Sequence, residues 1–173
     1  FSGNNMFTYK YSHDSGVNLT ASYINASDAV TDVSYSDYGI TYTGMDGLTL
    51  GYGEGDVESV TGTKSAESTM FAKYAMGGFT VGIQTSEKDN DGSSDVESTG
   101  IGISYQVNDD LSVSYGTNTI ETVGSTDQDS VAVGVSYTMG SLGISFSMNQ
   151  VDNIAHSATN DREAYQLGLS FAF

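Results

Sequence analysis

Large apolar residues alternate with small or polar residues along most of this chain. The clearest run lies at 165–173, where every second residue from Tyr165 to Phe173 is aromatic or leucine and the residues between are Gln, Gly, Ser and Ala. Because successive side chains of a β-strand point to opposite faces, this run predicts a strand with one apolar face and one small, polar face. Leucines flanked by aromatic rings are typical of strands that face lipid.

The same alternation recurs along the chain and predicts eleven strands. In each predicted strand the apolar positions are every second residue, counted from the first residue of the range. The ranges are Phe7–Tyr11, Val17–Tyr23, Tyr38–Tyr42, Leu48–Tyr52, Met70–Met76, Phe79–Ile83, Ile101–Val107, Leu111–Tyr115, Val131–Met139, Leu142–Met148 and Tyr165–Phe173. No comparable stretch has the period of a helix. We therefore predict an all-β fold, a transmembrane antiparallel up-and-down β-barrel, as a single domain over residues 1–173.

Short and long connections alternate between these strands. The short ones carry Gly, Asn and Asp, as tight hairpins require, and lie at 14–16, 44–47, 77–78, 108–110 and 140–141. The long ones run over about 24–36, 54–67, 86–99, 119–129 and 150–163. Outer-membrane barrels have short turns at one side of the membrane and long loops at the other. The alternative is a soluble β-sandwich that buries the apolar positions in a core.

Aromatic residues occupy apolar positions near the short-connection ends of many strands. They are Tyr11, Tyr42, Tyr74, Tyr105, Tyr137 and Phe171. A ring that is apolar with a polar tip favours the boundary between hydrocarbon and water. We predict that these residues form a belt at one membrane interface. A looser belt is predicted at the other interface, from Tyr23, Tyr38, Tyr52, Tyr115 and Tyr165.

Composition and charge narrow the possible functions. The 173 residues include no Cys and carry a formal net charge of -17. Absent cysteine excludes disulfides and thiolate metal sites, and the excess of negative charge opposes binding to nucleic acid phosphates. No apolar run approaches the roughly 20 residues of a membrane-spanning helix.

The polar face of the predicted strands is the candidate working surface, because hydroxyls and amides there hydrate a channel. The predicted pore-lining residues are Thr8, Lys10, Thr20, Lys73, Gln84, Gln106 and Asn149. Lys10 and Lys73 are expected to be the only cations inside strands and to shape the field across the pore. Alternatively, each neutralises an acid on the same face or has no role. The acidic loops predict a mild preference for cations.

One acidic segment is a metal candidate. Asp89, Asp91 and Asp95 offer hard oxygens for Ca²⁺ around a glycine, although the segment lacks ligands of the helix–loop–helix calcium motif. A solvated acidic loop is the favoured interpretation, and no resident cofactor is expected. Catalysis is not expected either, because His13 and His156 lie in different connections and no nucleophile motif is present.

The final strand resembles the C-terminal assembly signal of Gram-negative outer-membrane barrels. In that signal a terminal Phe follows aromatic or aliphatic residues at every second position, a pattern matched by Tyr165, Leu167, Leu169, Phe171 and Phe173. The resemblance implies a bacterial outer-membrane location. It also implies the barrel-assembly machinery, the lipid bilayer and lipopolysaccharide as partners.

The whole pattern is similar to that of general diffusion porins of sixteen strands. This similarity implies a homotrimeric, water-filled channel for passive diffusion of ions and small hydrophilic solutes. Since bacterial barrels have even strand counts, we expect upstream strands, and the pore-narrowing third long loop, to precede this segment. The alternatives are an outer-membrane barrel with a structural or adhesive role, and a secreted acidic all-β adhesive protein.

Overall fold

The described part of the computed structural model of the protein contains eleven antiparallel strands, each paired with the next in the chain, and a 3₁₀ helix (Ile154–His156). The structure describes residues 6–25, 33–59, 62 and 64–171. The strands are β1 (Met6–Ser12), β2 (Val17–Ile24), β3 (Val33–Met45), β4 (Leu48–Ser59), β5 (Lys64–Met76), β6 (Phe79–Asn90), β7 (Val96–Gln106), β8 (Leu111–Thr122), β9 (Gln128–Met139), β10 (Leu142–Asp152) and β11 (Arg162–Phe171). The predicted all-β, up-and-down antiparallel fold is confirmed.

The contacts divide the chain into two compact units. The first unit falls within residues 1–72 and 84–97 and holds β1 to β4, the parts of β5 and β6 near their long connection ends, and the start of β7. The second unit falls within 73–83 and 98–173 and holds the remainder of β5 to β7 together with β8 to β11. Within the described residues, no helix is long and apolar enough to cross a membrane.

The strand ends belong to two kinds of edge. The short-turn edge carries the connections at 13–16, 46–47, 77–78, 107–110 and 140–141, and the long-loop edge carries the others. Gly47, Gly77 and Gly140 have φ of 73°, 59° and 60°, the left-handed conformation that two-residue hairpins require. The glycines at these turns therefore fix where each strand reverses.

The apolar positions form one exposed face of the strands rather than a core. No side chain of the described residues is buried, and large apolar side chains such as Leu167 and Phe7 are 67% and 65% exposed. A soluble sandwich packs its apolar faces against each other. The sandwich alternative is therefore wrong for the described part of the chain, and the apolar face needs a covering of hydrocarbon.

The strands extend further toward the long-loop edge than the alternation predicts. β4 continues to Ser59 and β6 continues to Asn90, where long connections are predicted from about 54 and 86. Lys64, Lys88 and Arg162 consequently lie in β5, β6 and β11, so the prediction that Lys10 and Lys73 are the only strand cations is wrong. Beyond the apolar band both faces meet water. The backbone continues to pair there, while the side-chain alternation that marks a strand disappears.

Candidate functional site

Lys10 lies on the polar face of the first unit. It is opposite Thr20 on β2, and Thr8 lies on the same face opposite Ser22. The ion pairs found among the described residues involve Lys64 and Lys88 instead. Lys10 is therefore a solvated ammonium among hydroxyls, and no described acid neutralises it.

Lys73, Gln106 and Asn149 belong to the second unit. Lys73 is exposed on β5 and makes no ion pair in the described part of the chain, and Asn149 lies between Ala132 and Ala164 of the flanking strands. The amide of Gln106 instead donates to the carbonyl oxygens of Asn108 (2.6 Å) and Leu111 (3.3 Å). Gln106 therefore fastens the turn at 107–110, a contact that the alternation alone does not indicate.

Gln84 is part of a hydrogen-bonded group on the polar face of the first unit. Its Nε2 donates to Thr69 Oγ1 at 3.3 Å and to Ser86 Oγ at 3.4 Å. The two hydroxyls are 2.9 Å apart, and Thr69 also donates to the carbonyl of Thr85. All of these bonds except that between Gln84 and Ser86 cross from β5 to β6, so they hold an amide and two hydroxyls at one place on the wall.

An ion pair that the alternation of apolar and polar residues does not predict lies next to this group. Lys88 Nζ is 2.7 Å from Glu67 Oε1, and both side chains remain about half exposed. A pair this exposed contributes little to stability. Its consequence is local, because it places a fixed positive charge beside a negative one on the polar face.

Phe71 is an aromatic residue on the polar face. The alternation of apolar and polar residues does not predict a site for it either. Its neighbours Met70 and Ala72 occupy apolar positions, and its ring lies against Gly51 of β4. A Cβ atom at position 51 would fall 2.2 Å from Phe71 Cε1. The glycine therefore leaves the space that the ring occupies.

A cleft of about 500 Å³ opens at the long-loop edge of the first unit. It lies between β3, β4, β5 and β6, and Lys88 and Glu67 form part of its wall. The other residues that line it are Tyr35, Ser36, Asp37, Gly55, Asp56, Val57, Ser65 and Asn90.

The predicted interface aromatics lie on the exposed apolar face within each unit. In the first unit, Tyr11 pairs with Leu19 and Tyr42 pairs with Val17, both near the short-turn edge. In the second unit, Tyr137 pairs with Ile144 and Phe171 pairs with Leu142. Tyr74 is 41% exposed on β5, and the Tyr105 ring stacks on Phe79 with centroids 4.2 Å apart. The interface role of these rings stays a prediction.

Near the long-loop edge, a carboxylate shares the apolar face with two tyrosines. Glu54 Oε2 accepts a hydrogen bond from the Tyr52 hydroxyl at 2.6 Å and another from the Tyr38 hydroxyl. The two rings are 6.4 Å apart. Glu54 thus marks the level at which the apolar face gives way to charged groups.

The residues of the predicted assembly signal line one face of β11. Tyr165, Leu167, Leu169 and Phe171 pair with Met148, Phe146, Ile144 and Leu142 of β10, and each is at least 60% exposed. Phe173 lies outside the described residues. The assembly role stays a prediction.

The structure does not bring the candidate metal ligands together. Asp91 accepts a hydrogen bond from the Lys64 backbone N–H (3.1 Å), Asp95 accepts one from the Asn90 N–H (3.1 Å), and Asp89 is exposed. In 6–25, 33–59, 62 and 64–171 there is no group of three or more His, Asp or Glu side chains arranged to hold a metal ion. Asp95 thus caps the backbone of its own hairpin, and Asp91 ties the β6–β7 connection to the start of β5.

Each histidine is tied into a connection. His13 Nδ1 accepts from the Ser15 N–H at 3.1 Å and contacts the Ser15 hydroxyl at 2.9 Å, so it caps the turn at 13–16. His156 Nδ1 donates to the Thr126 carbonyl (2.8 Å), and its Nε2 then accepts from the Thr122 hydroxyl (3.0 Å). His156 thereby joins the long connection at 153–161 to the one at 123–127.

Backbone strain accompanies this second contact. Asn153, Ala155 and His156 have φ of 56°, 55° and 61°, a conformation that is uncommon outside glycine. Further bonds from Asn153 Nδ2 to the Asp127 carbonyl and from the Ala155 N–H to Gln128 Oε1 hold the two connections together.

A single sheet with an exposed apolar face and a polar face defines a protein that separates hydrocarbon from water. A family model of Gram-negative porins matches residues 2–173. The chain belongs to the Gram-negative porin family. Family membership points to the bacterial outer membrane.

Solved structures with low sequence identity share the fold. An anion-selective porin from Comamonas acidovorans is 18% identical with a TM-score of 0.76, over 98% of this chain and 60% of that one. A second solved porin is 16% identical with a TM-score of 0.78, over 96% and 60%. OmpT, an outer membrane protein of Vibrio cholerae, is 15% identical with a TM-score of 0.65, over 96% and 63%.

The chain therefore spans about three fifths of the length of these structures. No curated protein matches it.

Proposed function

We propose that this chain forms the wall of an outer-membrane porin, a water-filled channel for passive diffusion of ions and small hydrophilic solutes. The observation that carries the proposal is the exposure of the apolar side chains on one face, with no buried side chain among the described residues. Such a wall is stable only with hydrocarbon on one side and water on the other. The polar face then lines the water-filled channel.

The chemistry of the polar face supports diffusion rather than catalysis. Thr8, Thr20 and Lys10 offer hydroxyls and a solvated ammonium, and the Gln84 group offers an amide whose hydrogen bonds are made within the wall. Groups of this kind hydrate a passage without a nucleophile or a base poised for reaction. We assign no catalytic residue.

The acidic charge favours cations. The formal net charge of -17 raises the local concentration of cations at the channel mouth. Lys10 and Lys73 oppose this effect within the wall, so the preference is expected to be mild.

The proposed assembly is a homotrimer in the lipid bilayer, inserted by the barrel-assembly machinery and in contact with lipopolysaccharide. Support comes from the exposed apolar face and from OmpT of Vibrio cholerae, which is known in a trimer form. No cofactor is required for diffusion. Ca²⁺ on the outer loops is a further proposal, for which the loop carboxylates supply oxygens.

Conductance of the full-length native protein in planar bilayers tests the channel. We expect steady ion-permeable steps in KCl and swelling of liposomes that contain the protein in solutions of small sugars. A protein that is correctly folded in detergent, yet gives neither steps nor swelling, would show the structural or adhesive alternative to be the right one.

A further inference from the structure

The cleft at the long-loop edge of the first unit has the size of a small-molecule site. Its volume is about 500 Å³, within the range of roughly 300–1,000 Å³ that is usual for ligand pockets. Its walls combine the ring of Tyr35, the apolar side chain of Val57 and several charged groups. This mixture suits a ligand with both an organic and a charged part.

The charge of the cleft selects cations. Two carboxylates, those of Asp37 and Glu67, face it together with a single ammonium, that of Lys88. The side chain of Asp56 lies on the opposite face of β4, with Glu54. Glu67 already holds Lys88 at 2.7 Å. Within the part of the chain that the structure describes, Asp37 has no ion-pair partner. The cleft is thus negative, and Asp37 is available to a ligand.

Its shape and composition favour an organic cation over a metal ion. No group of three or more acidic or histidine side chains among the described residues is arranged to ligate a metal. Tyr35 offers an aromatic ring, which attracts ammonium and guanidinium groups. A metal ion would make no use of the ring or of Val57.

We propose that this cleft binds small organic cations carrying ammonium or guanidinium groups, which pair with Asp37 and Glu67. The proposal deepens the channel function and rests on it, because it names a class of solute that the channel would concentrate before passage.

Three four-carbon compounds provide the test: 1,4-diaminobutane, 1,4-butanediol and succinate. Isothermal titration of the full-length protein in detergent should show binding of the diamine and not of the diol or the dicarboxylate. Asp37→Asn should weaken diamine binding about tenfold, as expected for loss of one charge-assisted contact. Asp89→Asn is the matched control, because Asp89 is exposed on β6 and does not line the cleft. It should bind as the native protein does.

Several outcomes would overturn the site. Equal binding of all three compounds, no binding of the diamine, or equal losses in Asp37→Asn and Asp89→Asn would each do so. Planar-bilayer conductance of the same preparations keeps the two proposals apart. Conductance without diamine binding would contradict the proposed binding site and agree with the proposed channel. Diamine binding without conductance would contradict the proposed channel.

Discussion

The ring of Phe71 lies against Gly51 on the neighbouring strand, where a Cβ atom would come within 2.2 Å of Phe71 Cε1. Gly51→Ala should therefore push the ring out of its place on the wall. Overpacking of this kind typically costs about 1–3 kcal/mol. Urea-dependent unfolding in lipid vesicles measures the loss. Gly53→Ala is the matched control on the same strand and face, since its Cβ would meet its neighbours at an ordinary 3.6–3.7 Å. Equal effects of the two substitutions would contradict the role of the ring.

Lys10 and Lys73 should each lower the preference of the channel for cations over anions. Neither makes an ion pair in the part of the chain described, so Lys10→Met or Lys73→Met removes a solvated positive charge from the polar face. We expect the ratio of cation to anion permeability to rise by about twofold in dilute salt and by less at 1 M, where the Debye length is about 3 Å. Reversal potentials in KCl gradients measure this ratio.

Lys64→Met provides the comparison for both lysines. It removes the same charge from a residue that is paired with Glu58 at 3.4 Å. Lys64 shares its strand face with Met70, because both are even-numbered residues of β5. A shift in reversal potential as large as that of Lys10→Met would mean that overall charge, rather than position on the polar face, controls the preference.

Leu167 should not tolerate a charge. It is 67% exposed on the apolar face of β11, and placing Arg at the middle of a bilayer costs about 2–4 kcal/mol. Leu167→Arg should destabilise the folded protein in vesicles by that amount, as measured by urea titration. Gln166→Arg, one residue earlier on the polar face, should have little effect. If the two variants were equally stable, the assignment of the lipid-facing side would be wrong.

His156 should hold the connections at 123–127 and 153–161 together. His156→Ala removes its bonds to Thr122 and Thr126 from a segment that already carries left-handed backbone at Asn153 and Ala155. We expect faster proteolysis within 153–161, with the transmembrane strands unaffected. Limited proteolysis followed by mass spectrometry locates the cut. His13→Ala, which alters a different turn, should leave this rate unchanged. An unchanged rate in His156→Ala would exclude the role of His156 in holding the two connections together.

The strands and their two faces could be predicted because hydrocarbon and water impose opposite demands on neighbouring side chains. Leu167 and Gln166 illustrate this, since each residue type suits one of the two surroundings. The strand ends could not be found in this way. Lys88 and Glu67 lie where both faces meet water, so nothing in the alternation distinguishes a strand from a loop.

The Glu67–Lys88 contact nevertheless left a signal in the sequence. Counting equal numbers of residues outward from the turn at Gly77 and Gly78 places these two side chains opposite each other. Phe71 left a weaker signal. Its position assigns it to the polar face, but the space for its ring depends on Gly51 in another strand. The cleft was not predictable, because its walls come from four strands and its volume depends on their side chains.

The absence of buried side chains in the described part of the chain has a consequence for how this wall evolves. In a soluble protein, neighbouring side chains must interlock in shape, and few substitutions satisfy that demand. Fluid acyl chains adapt to the shape of the side chains that they contact. The outer surface is therefore selected for hydrophobicity and not for shape complementarity. Leucine, valine and phenylalanine become nearly interchangeable there. Sequences of this kind can drift far apart while the strands stay in place.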